Sequence, residues 1–207
     1  MLYPLKKQNS HAVLFSFSLA VLSLFIISFV SYISLNRMEQ STASVEHTYQ
    51  VIEEIQKVRS DIRNMDRSFR GYLLTRDATI FPASQNLKNL IQKDFDEIQK
   101  MTVDNAVQVT NLQVLKPLVD ENLAAIDQGL RSASKGNFKT ATQIIESSEK
   151  NKLMSQIESA LSDMKIEEYE LLQKRKWVEN ESTRNAVLFI LGGGFLAAIF
   201  CAAAASQ

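Results

Sequence analysis

Arginine residues recur at steps of four, four and three along one segment of helical apolar spacing: Arg59, Arg63, Arg67 and Arg70. A helix turns by about 100° per residue, so these side chains share a face. A guanidinium group forms paired hydrogen bonds with carboxylates and phosphates. The pattern therefore predicts either an anion-binding stripe or a solvated face, and we favour the solvated face. Its partners would be Asp66 or acidic residues of the last helix.

Other residues that could do chemistry are scattered. His11 and His47 have no nucleophile or metal-ligating partner at helical spacing, and the neighbouring acids Glu53 and Glu54 point to different helix faces. The glycine run from Gly192 lies inside an apolar stretch, where a phosphate could not be accommodated. We therefore expect no catalytic residue, no metal site, no cofactor and no enzymatic activity in this chain.

The net charge and the cysteine content argue against a nucleic-acid partner and against cysteine-based sites. The formal net charge is zero, which gives no reason to expect a nucleic-acid partner. The only cysteine is Cys201, so one chain can hold neither a disulfide nor a cysteine-based metal site.

Two uncharged apolar stretches set the domain organisation. Each has roughly the 20 residues that cross a bilayer core, and the first is too long for a cleaved signal peptide. Lys6 and Lys7 precede the first stretch, which predicts a cytoplasmic N-terminus. The predicted order is a cytoplasmic N-terminus (1–11), a transmembrane helix (12–35), an extracytoplasmic helical domain (36–184), a second transmembrane helix (185–205) and a cytoplasmic end (206–207).

Apolar residues between these stretches follow helical periods. The first helix carries a heptad seam of Val51, Ile55, Val58, Ile62, Met65, Phe69 and Tyr72. Three further helices are predicted to bury Leu87, Leu90, Ile91, Phe95, Ile98 and Met101; Leu112, Leu115, Val119, Ile126 and Leu130; and Leu153, Ile157, Leu161, Met164, Leu171 and Leu172. An even number of passes returns the chain to the membrane it left. The pattern thus predicts an all-α fold, an antiparallel up-down four-helix bundle outside the membrane, flanked by two transmembrane helices.

Local signals place the helix ends. Pro82 suits the first turn of the second helix, and Asp104 or Asn105 could cap the third. Pro117 predicts a kink in the third helix or a later start of it, and Gly136 predicts its end. The fourth helix begins near Phe138, is irregular around residues 147–148, and then runs toward the second span.

Helix lengths predict a stalk near the membrane. At about 1.5 Å per residue the first helix is roughly 60 Å tall and the second only about 30 Å, so residues 36–50 and 173–184 extend beyond the four-helix part. These polar segments are either solvated stalks or the seam of a homodimer, and we expect a dimer.

Small residues at four-residue spacing mark the second span. Gly193 pairs with Ala197, and Gly194 with Ala198, on faces that let another helix approach closely. The face is predicted to pack against the first span or against a second chain, unless the small residues merely fill an apolar span.

Two short motifs carry a family resemblance. The first is Arg70, Gly71, Tyr72, Leu73, Leu74, Thr75, Arg76 and Asp77; the second comprises Glu167, Glu168, Leu171, Leu172 and Arg175. In order, spacing and membrane context, the chain resembles the third type of CHASE extracellular sensor domain over about residues 40–180. Two positions depart from the family pattern, because Phe69 stands where Gln is common and Arg76 where Gly is common. We therefore expect position 76 to lie outside the left-handed region.

The resemblance implies a sensory input module of bacterial transmembrane signal transducers. It would sit in the inner cell membrane with its bundle periplasmic or extracellular, and pass its signal to a kinase, cyclase or chemoreceptor output. That output is either fused to the chain in a longer protein or supplied by a separate cytoplasmic partner. The alternative is a structural or accessory subunit of a membrane complex that uses the bundle for docking.

Overall fold

The computed structural model describes residues 10–77 and 79–205, which form five α-helices. Their bounds are α1 (Ser10–Thr75), α2 (Ile80–Met101), α3 (Ala106–Ser134), α4 (Phe138–Ile145) and α5 (Ser148–Ala205). No strand occurs in these ranges. The all-α prediction is confirmed: α1, α2, α3 and the α4–α5 pair form an antiparallel up-down four-helix bundle, flanked by two long apolar helical segments. The predicted ends at 1–9 and 206–207 lie outside the described residues.

Capping groups explain where the inner helices begin and end. The side chain of Asn105 accepts hydrogen bonds from the backbone N–H groups of Val107 and Gln108 at 3.1 and 3.3 Å, so Asn105 is the cap of α3. Gly136 ends that helix with a φ of 79°, a conformation that glycine adopts without strain. Pro117 lies inside α3, so the predicted alternative of a later helix start is wrong.

The predicted core is largely confirmed. All seven residues of the heptad seam on α1 are buried, with at most 7% of any side chain exposed, and they join one cluster with α2, α3, α4 and α5. Leu90 is the clear exception, because it is 36% exposed. On α2 the buried line runs through Ile91, Phe95 and Ile98, and Leu90 is turned about 100° from Ile91 around the helix.

A glycine of α3 makes room for the largest ring of the seam. A Cβ atom at Gly129 would lie 2.2 Å from Cζ of Phe69, so no larger residue fits without displacing the ring. Phe69 itself is completely buried. The close packing of the α1 ring on the α3 backbone therefore depends on this pair of residues.

The chain divides into two compact units. The bundle unit is Glu46–Leu172, and the terminal unit is Met1–Val45 together with Gln173–Gln207. In both α1 and α5, one uninterrupted helix contributes residues to both units. The membrane boundaries predicted at residues 36 and 184 stay predictions.

Candidate functional site

Two arginines of the predicted stripe face one carboxylate of α5. Nε of Arg63 lies 2.6 Å from Oε1 of Glu158, and Nε of Arg59 lies 3.3 Å from Oε2 of the same residue. The hydrogen bond that Arg63 donates to Glu158 raises the pKa of Arg63 above its ordinary value. Glu158 thus joins α5 to the arginine face of α1.

The other two arginines contact their own helix. Arg70 pairs with Asp66 one turn earlier at 2.9 Å, and Arg67 donates to the amide oxygen of Asn64 at 3.1 Å. Three of the four stripe arginines therefore face carboxylates. An added anion would compete with these contacts, and anion binding at the stripe stays a prediction.

A buried lysine at the start of α5 links three helices. Lys150 is only 3% exposed, and its Nζ donates to Oδ1 of Asp66 on α1 at 2.7 Å and to Oδ1 of Asn122 on α3 at 2.5 Å. Burial lowers the pKa of Lys150, and the pair with Asp66 offsets part of that effect. Burial acts to raise the pKa of Asp66, but hydrogen bonds from Lys150 and Arg70 outweigh it and lower the pKa.

Sequence reasoning missed this polar cluster of Asp66, Asn122 and Lys150, although a signal was present. Asn122 follows Val119 by three residues and precedes Ile126 by four, so it occupies a core position of the heptad pattern. Its Nδ2 is buried and finds no acceptor among the described residues. Lys150 also lines a cleft of about 380 Å³ between α3, α4 and α5. The cluster thus joins α1, α3 and α5 through the hydrogen bonds of one buried cation.

A second polar contact joins α1 to α2. Lys57 donates to Oδ1 of Asp94 at 2.6 Å and to Glu54 at 2.9 Å, and these hydrogen bonds raise the pKa of Lys57.

A partly buried carboxyl group lies next to this contact. Asp61 is one turn beyond Lys57, and Oδ2 of Asp61 and Oδ2 of Asp94 are both buried without a donor among the described residues. Burial raises the pKa of Asp61, and its hydrogen bond to Asp94 raises it further. This environment favours the neutral form of Asp61.

The first motif forms the end of α1. Tyr72 packs on Phe138 with ring centroids 6.1 Å apart, Leu73 packs against the core, and Leu74 is 85% exposed. Thr75 accepts from the N–H of Asp77, and its hydroxyl donates to the carbonyl of Gly71.

The expectation for Arg76 is wrong, because its φ is 57°, inside the left-handed region. Two contacts favour this conformation. The backbone N–H of Arg76 donates to the Tyr72 carbonyl at 2.8 Å, a helix-ending bond, and its guanidinium lies 4.9 Å from the centre of the Phe138 ring. A long cationic side chain that packs on an aromatic ring thus occupies a conformation usually left to glycine.

The second motif is mainly buried structure. Glu168 is 3% exposed and accepts a hydrogen bond at 2.9 Å from Gln108, whose amide also donates to the carbonyl of Met164. Leu172 is buried and Leu171 half-buried, while Glu167 is half-buried on the neighbouring turn. In the terminal unit, Arg175 donates to the carbonyl of Ser44 at 2.9 Å.

The small residues of α5 differ in their surroundings. A Cβ atom at Gly193 would lie 2.5 Å from Cγ1 of Ile27, and Ala197 is 8% exposed. A Cβ atom at Gly194 would meet nothing within 4 Å, and Ala198 is exposed. Within the terminal unit, Gly193 is thus the glycine at which α5 closely approaches α1.

A cleft of about 580 Å³ between α2 and α3 offers a different environment. Phe95, Val109 and Leu112 form its apolar wall, and Lys116 and Asp120 stand at its edge. Such a cleft suits a compound with an apolar body and a polar head. No cluster of metal-ligating side chains is found in the described part of the chain.

The two motifs lie in a helical bundle, and the comparison with protein families covers the same region. The model described as the CHASE3 domain matches residues 41–177, about two thirds of the chain. The chain therefore belongs to the CHASE3 family of sensory extracellular domains. No curated protein and no solved structure matches the chain.

Proposed function

We propose that this chain is a membrane-anchored extracytoplasmic input module that passes a signal across the membrane to a kinase, cyclase or chemoreceptor output. The output is fused in a longer protein or belongs to a separate cytoplasmic partner. The observation that carries the proposal is the continuity of α1 and α5. Each is one uninterrupted helix that contains both residues of the sensory domain and a long apolar segment.

Apolar composition supports the anchoring in a lipid bilayer. None of the apolar window of α1 is buried, and only 6% of that of α5 is, unlike the core helices of the bundle. Lys6 and Lys7, which lie outside the described residues, favour a cytoplasmic N-terminus. We place the chain in the bacterial inner membrane with its bundle periplasmic or extracellular.

A labelling experiment tests this topology. The variant Tyr49→Cys in intact cells should react with a membrane-impermeant maleimide, and protection of that cysteine would contradict the topology.

Signal transfer would use polar contacts between α1 and α5. The pair of Arg63 with Glu158 and the pair of Asp66 with Lys150 both cross between these helices. A stimulus that favours a second packing of the bundle must exchange such contacts as α5 shifts along α1. Because α5 continues into its apolar segment, the shift would reach the far side as a piston, tilt or rotation.

A cross-linking experiment tests this mechanism. In the terminal unit the hydroxyl of Thr42 donates to Oε1 of Glu179 at 2.9 Å, which makes these positions suitable for a cysteine pair. The only native cysteine is replaced by Cys201→Ser. The full chain is joined after Gln207 to a histidine-kinase module, with junctions offset by one to three residues to sample helical phase. A short thiol cross-linker should change autophosphorylation several-fold.

The matched controls are the single variants Thr42→Cys and Glu179→Cys, which should keep their autophosphorylation rate after the same treatment. An unchanged rate in the cross-linked double variant, across all junctions, would count against signal transfer through these helices.

We also propose a homodimer that forms through the stalk segments. Exposed apolar side chains support it, since Trp177 is 66% exposed, Val178 49% and Met38 38%. Labelled chains diluted in vesicles should bleach in two steps, and Trp177→Gln with Val178→Gln should yield single steps. Single steps in the unaltered chain would contradict the dimer.

An accessory subunit that docks through the bundle is the second candidate. Val103, Val107 and Val114 favour it, because they are exposed by 75%, 50% and 57% on α3 and the turn before it. On this hypothesis, Val103→Asp and Val107→Asp would release a partner from membrane complexes, while the cross-link would leave output unchanged.

A further inference from the structure

Three cations line one cleft of the terminal unit. Arg37 comes from α1, and Lys174 and Arg175 come from α5. The cleft has a volume of about 510 Å³, and the rest of its lining is polar, from Gln40, Ser41, Ser44 and Ser182, except for Val178. This concentration of positive charge plays no part in the bundle core or in the signalling mechanism proposed above.

Two of the three cations of this cleft are not paired with a carboxylate of the described chain. Arg37 and Lys174 are exposed and form no ion pair in residues 10–77 and 79–205. Arg175 is held differently, because it donates to the carbonyl oxygen of Ser44 at 2.9 Å. The nearby carboxylate of Glu179 accepts from Thr42 and does not line the cleft. Like charges around one cleft repel, so a bound anion would stabilise their arrangement.

The cleft also lies beside the apolar segments. Arg37 is two residues past the stretch 12–35, or about 3 Å along the helix, which places it within a headgroup layer several Å thick. Lys174 and Arg175 are about ten residues before the second stretch, or about 15 Å. Their side chains line the same cleft as Arg37, so the cleft extends from the headgroup layer outward.

We propose that this cleft binds a phosphate group, and that its source is the headgroup of an anionic phospholipid in the leaflet on the bundle side. The chemistry of the lining fits this ligand, because an arginine fork binds two phosphate oxygens, a lysine adds a point charge, and the amide and hydroxyl groups donate further hydrogen bonds. The lipid source rests on the membrane anchoring proposed above. Dissolved phosphate is the other source of the same chemistry.

A built-in fluorophore allows a direct test. Trp177 is the only tryptophan, lies two residues from Arg175 and is 66% exposed. The full chain is placed in nanodiscs of phosphatidylcholine, and its fluorescence is followed as short-chain phosphatidylglycerol, short-chain phosphatidylcholine or inorganic phosphate is added. We expect a saturable response to short-chain phosphatidylglycerol, and none to short-chain phosphatidylcholine.

Variants separate a defined cleft from general surface charge. Arg37→Gln and Lys174→Gln should each weaken the phosphatidylglycerol midpoint about fivefold, the usual effect of one cation near an anionic surface. Arg184→Gln is the control. Arg184 is exposed and lies beside the second stretch, but it does not line the cleft, so the variant removes the same charge elsewhere. It should shift the midpoint less than about twofold.

Each result decides a separate point. No saturable response to phosphatidylglycerol or phosphate, or an equal loss in Arg184→Gln, overturns the cleft as a site. A response to phosphate alone keeps the phosphate site and overturns the lipid source. Failure of the chain to enter phosphatidylcholine nanodiscs overturns the anchoring, while phosphate added to the free chain still tests the cleft.

Discussion

Phe69 and Phe25 lie on the same helix, α1, yet Phe69 is completely buried and Phe25 is 71% exposed. Phe69 belongs to the bundle unit, where the other helices cover it. Phe25 belongs to the terminal unit, where nearly all large apolar side chains are exposed. Among the described apolar residues of that unit, Val45 and Ala197 are buried. The bundle therefore covers its own apolar side chains, whereas the terminal unit leaves most of its apolar side chains uncovered. Exposed apolar surface of this extent is typical of segments that contact lipid or another chain.

Polar residues show the opposite contrast. The bundle unit buries Lys150 and Asp94, and each has a partner on another helix. The terminal unit leaves Arg37 and Lys174 exposed. A buried charge requires a partner from the fold itself, whereas an exposed one can be used for binding.

Truncation of the two phenylalanines should separate the units most strongly. Phe69→Ala should lower the free energy of unfolding of the bundle by about 4 kcal/mol, because it removes a fully buried ring and leaves a cavity. Phe25→Ala should change it by less than about 0.5 kcal/mol. Urea unfolding followed by circular dichroism in neutral nanodiscs measures both. Equal losses would show that the contrast between the units is false.

Removal of the buried lysine should have the next largest effect. Lys150→Met should cost about 3 kcal/mol, because it leaves Asp66 and Asn122 without their buried donor. Arg184→Met, in the terminal unit, should cost almost nothing in the same unfolding measurement. The double variant Lys150→Met with Asp66→Leu should recover most of the loss, and no recovery would contradict the assigned pairing.

The end of α1 should respond only weakly. Arg76→Ala should cost about 0.5–1 kcal/mol, because it loses the contact with the Phe138 ring and keeps the left-handed backbone. Arg76→Gly loses the same contact but relieves the backbone, so its unfolding free energy should stay within about 0.5 kcal/mol of the unaltered chain. If both variants lose the same stability, the backbone at position 76 carries no cost.

The smallest expected effect depends on pH. The raised pKa of Asp61 means that its ionised form opposes folding, so this contribution improves as the pH falls through that pKa toward 3.8. Asp61→Asn should stabilise the bundle by about 0.5 kcal/mol at pH 7, a small gain because Asp61 is partly exposed and water screens its charge. In thermal unfolding at pH 4 and pH 7, the advantage of the variant should shrink on acidification. A constant advantage would contradict the raised pKa of Asp61. Glu39→Gln, on the exposed stalk, is the matched control.

Periodicity predicted the bundle well because burial of one helix face requires only a regular apolar seam, and the seam from Val51 to Tyr72 is complete. Periodicity was wrong at Leu90, because Leu90 and Ile91 are adjacent and only Ile91 faces the core. The expectation for Arg76, which came from the glycine that is common there in the family pattern, was also wrong, because a hydrogen bond and the distant Phe138 ring outweigh the preference of the residue.

For the arginine stripe, the sequence predicted Asp66 and acidic residues of the last helix as partners, and the structure shows Asp66 and Glu158. The polar cluster around Lys150 was not predicted, because its members come from three helices.

The helical class, the heptad core, the helix end at Gly136 and the two apolar segments follow from the sequence, which left Asp104 and Asn105 as alternative caps. These features depend on local conformation and on composition along a single helix. Three other features required the packing of the helices: Glu158 faces Arg59 and Arg63, Lys150 meets Asp66 and Asn122, and Arg37 shares a cleft with Lys174 and Arg175. Such contacts join residues far apart in the chain, and their geometry depends on how the helices pack.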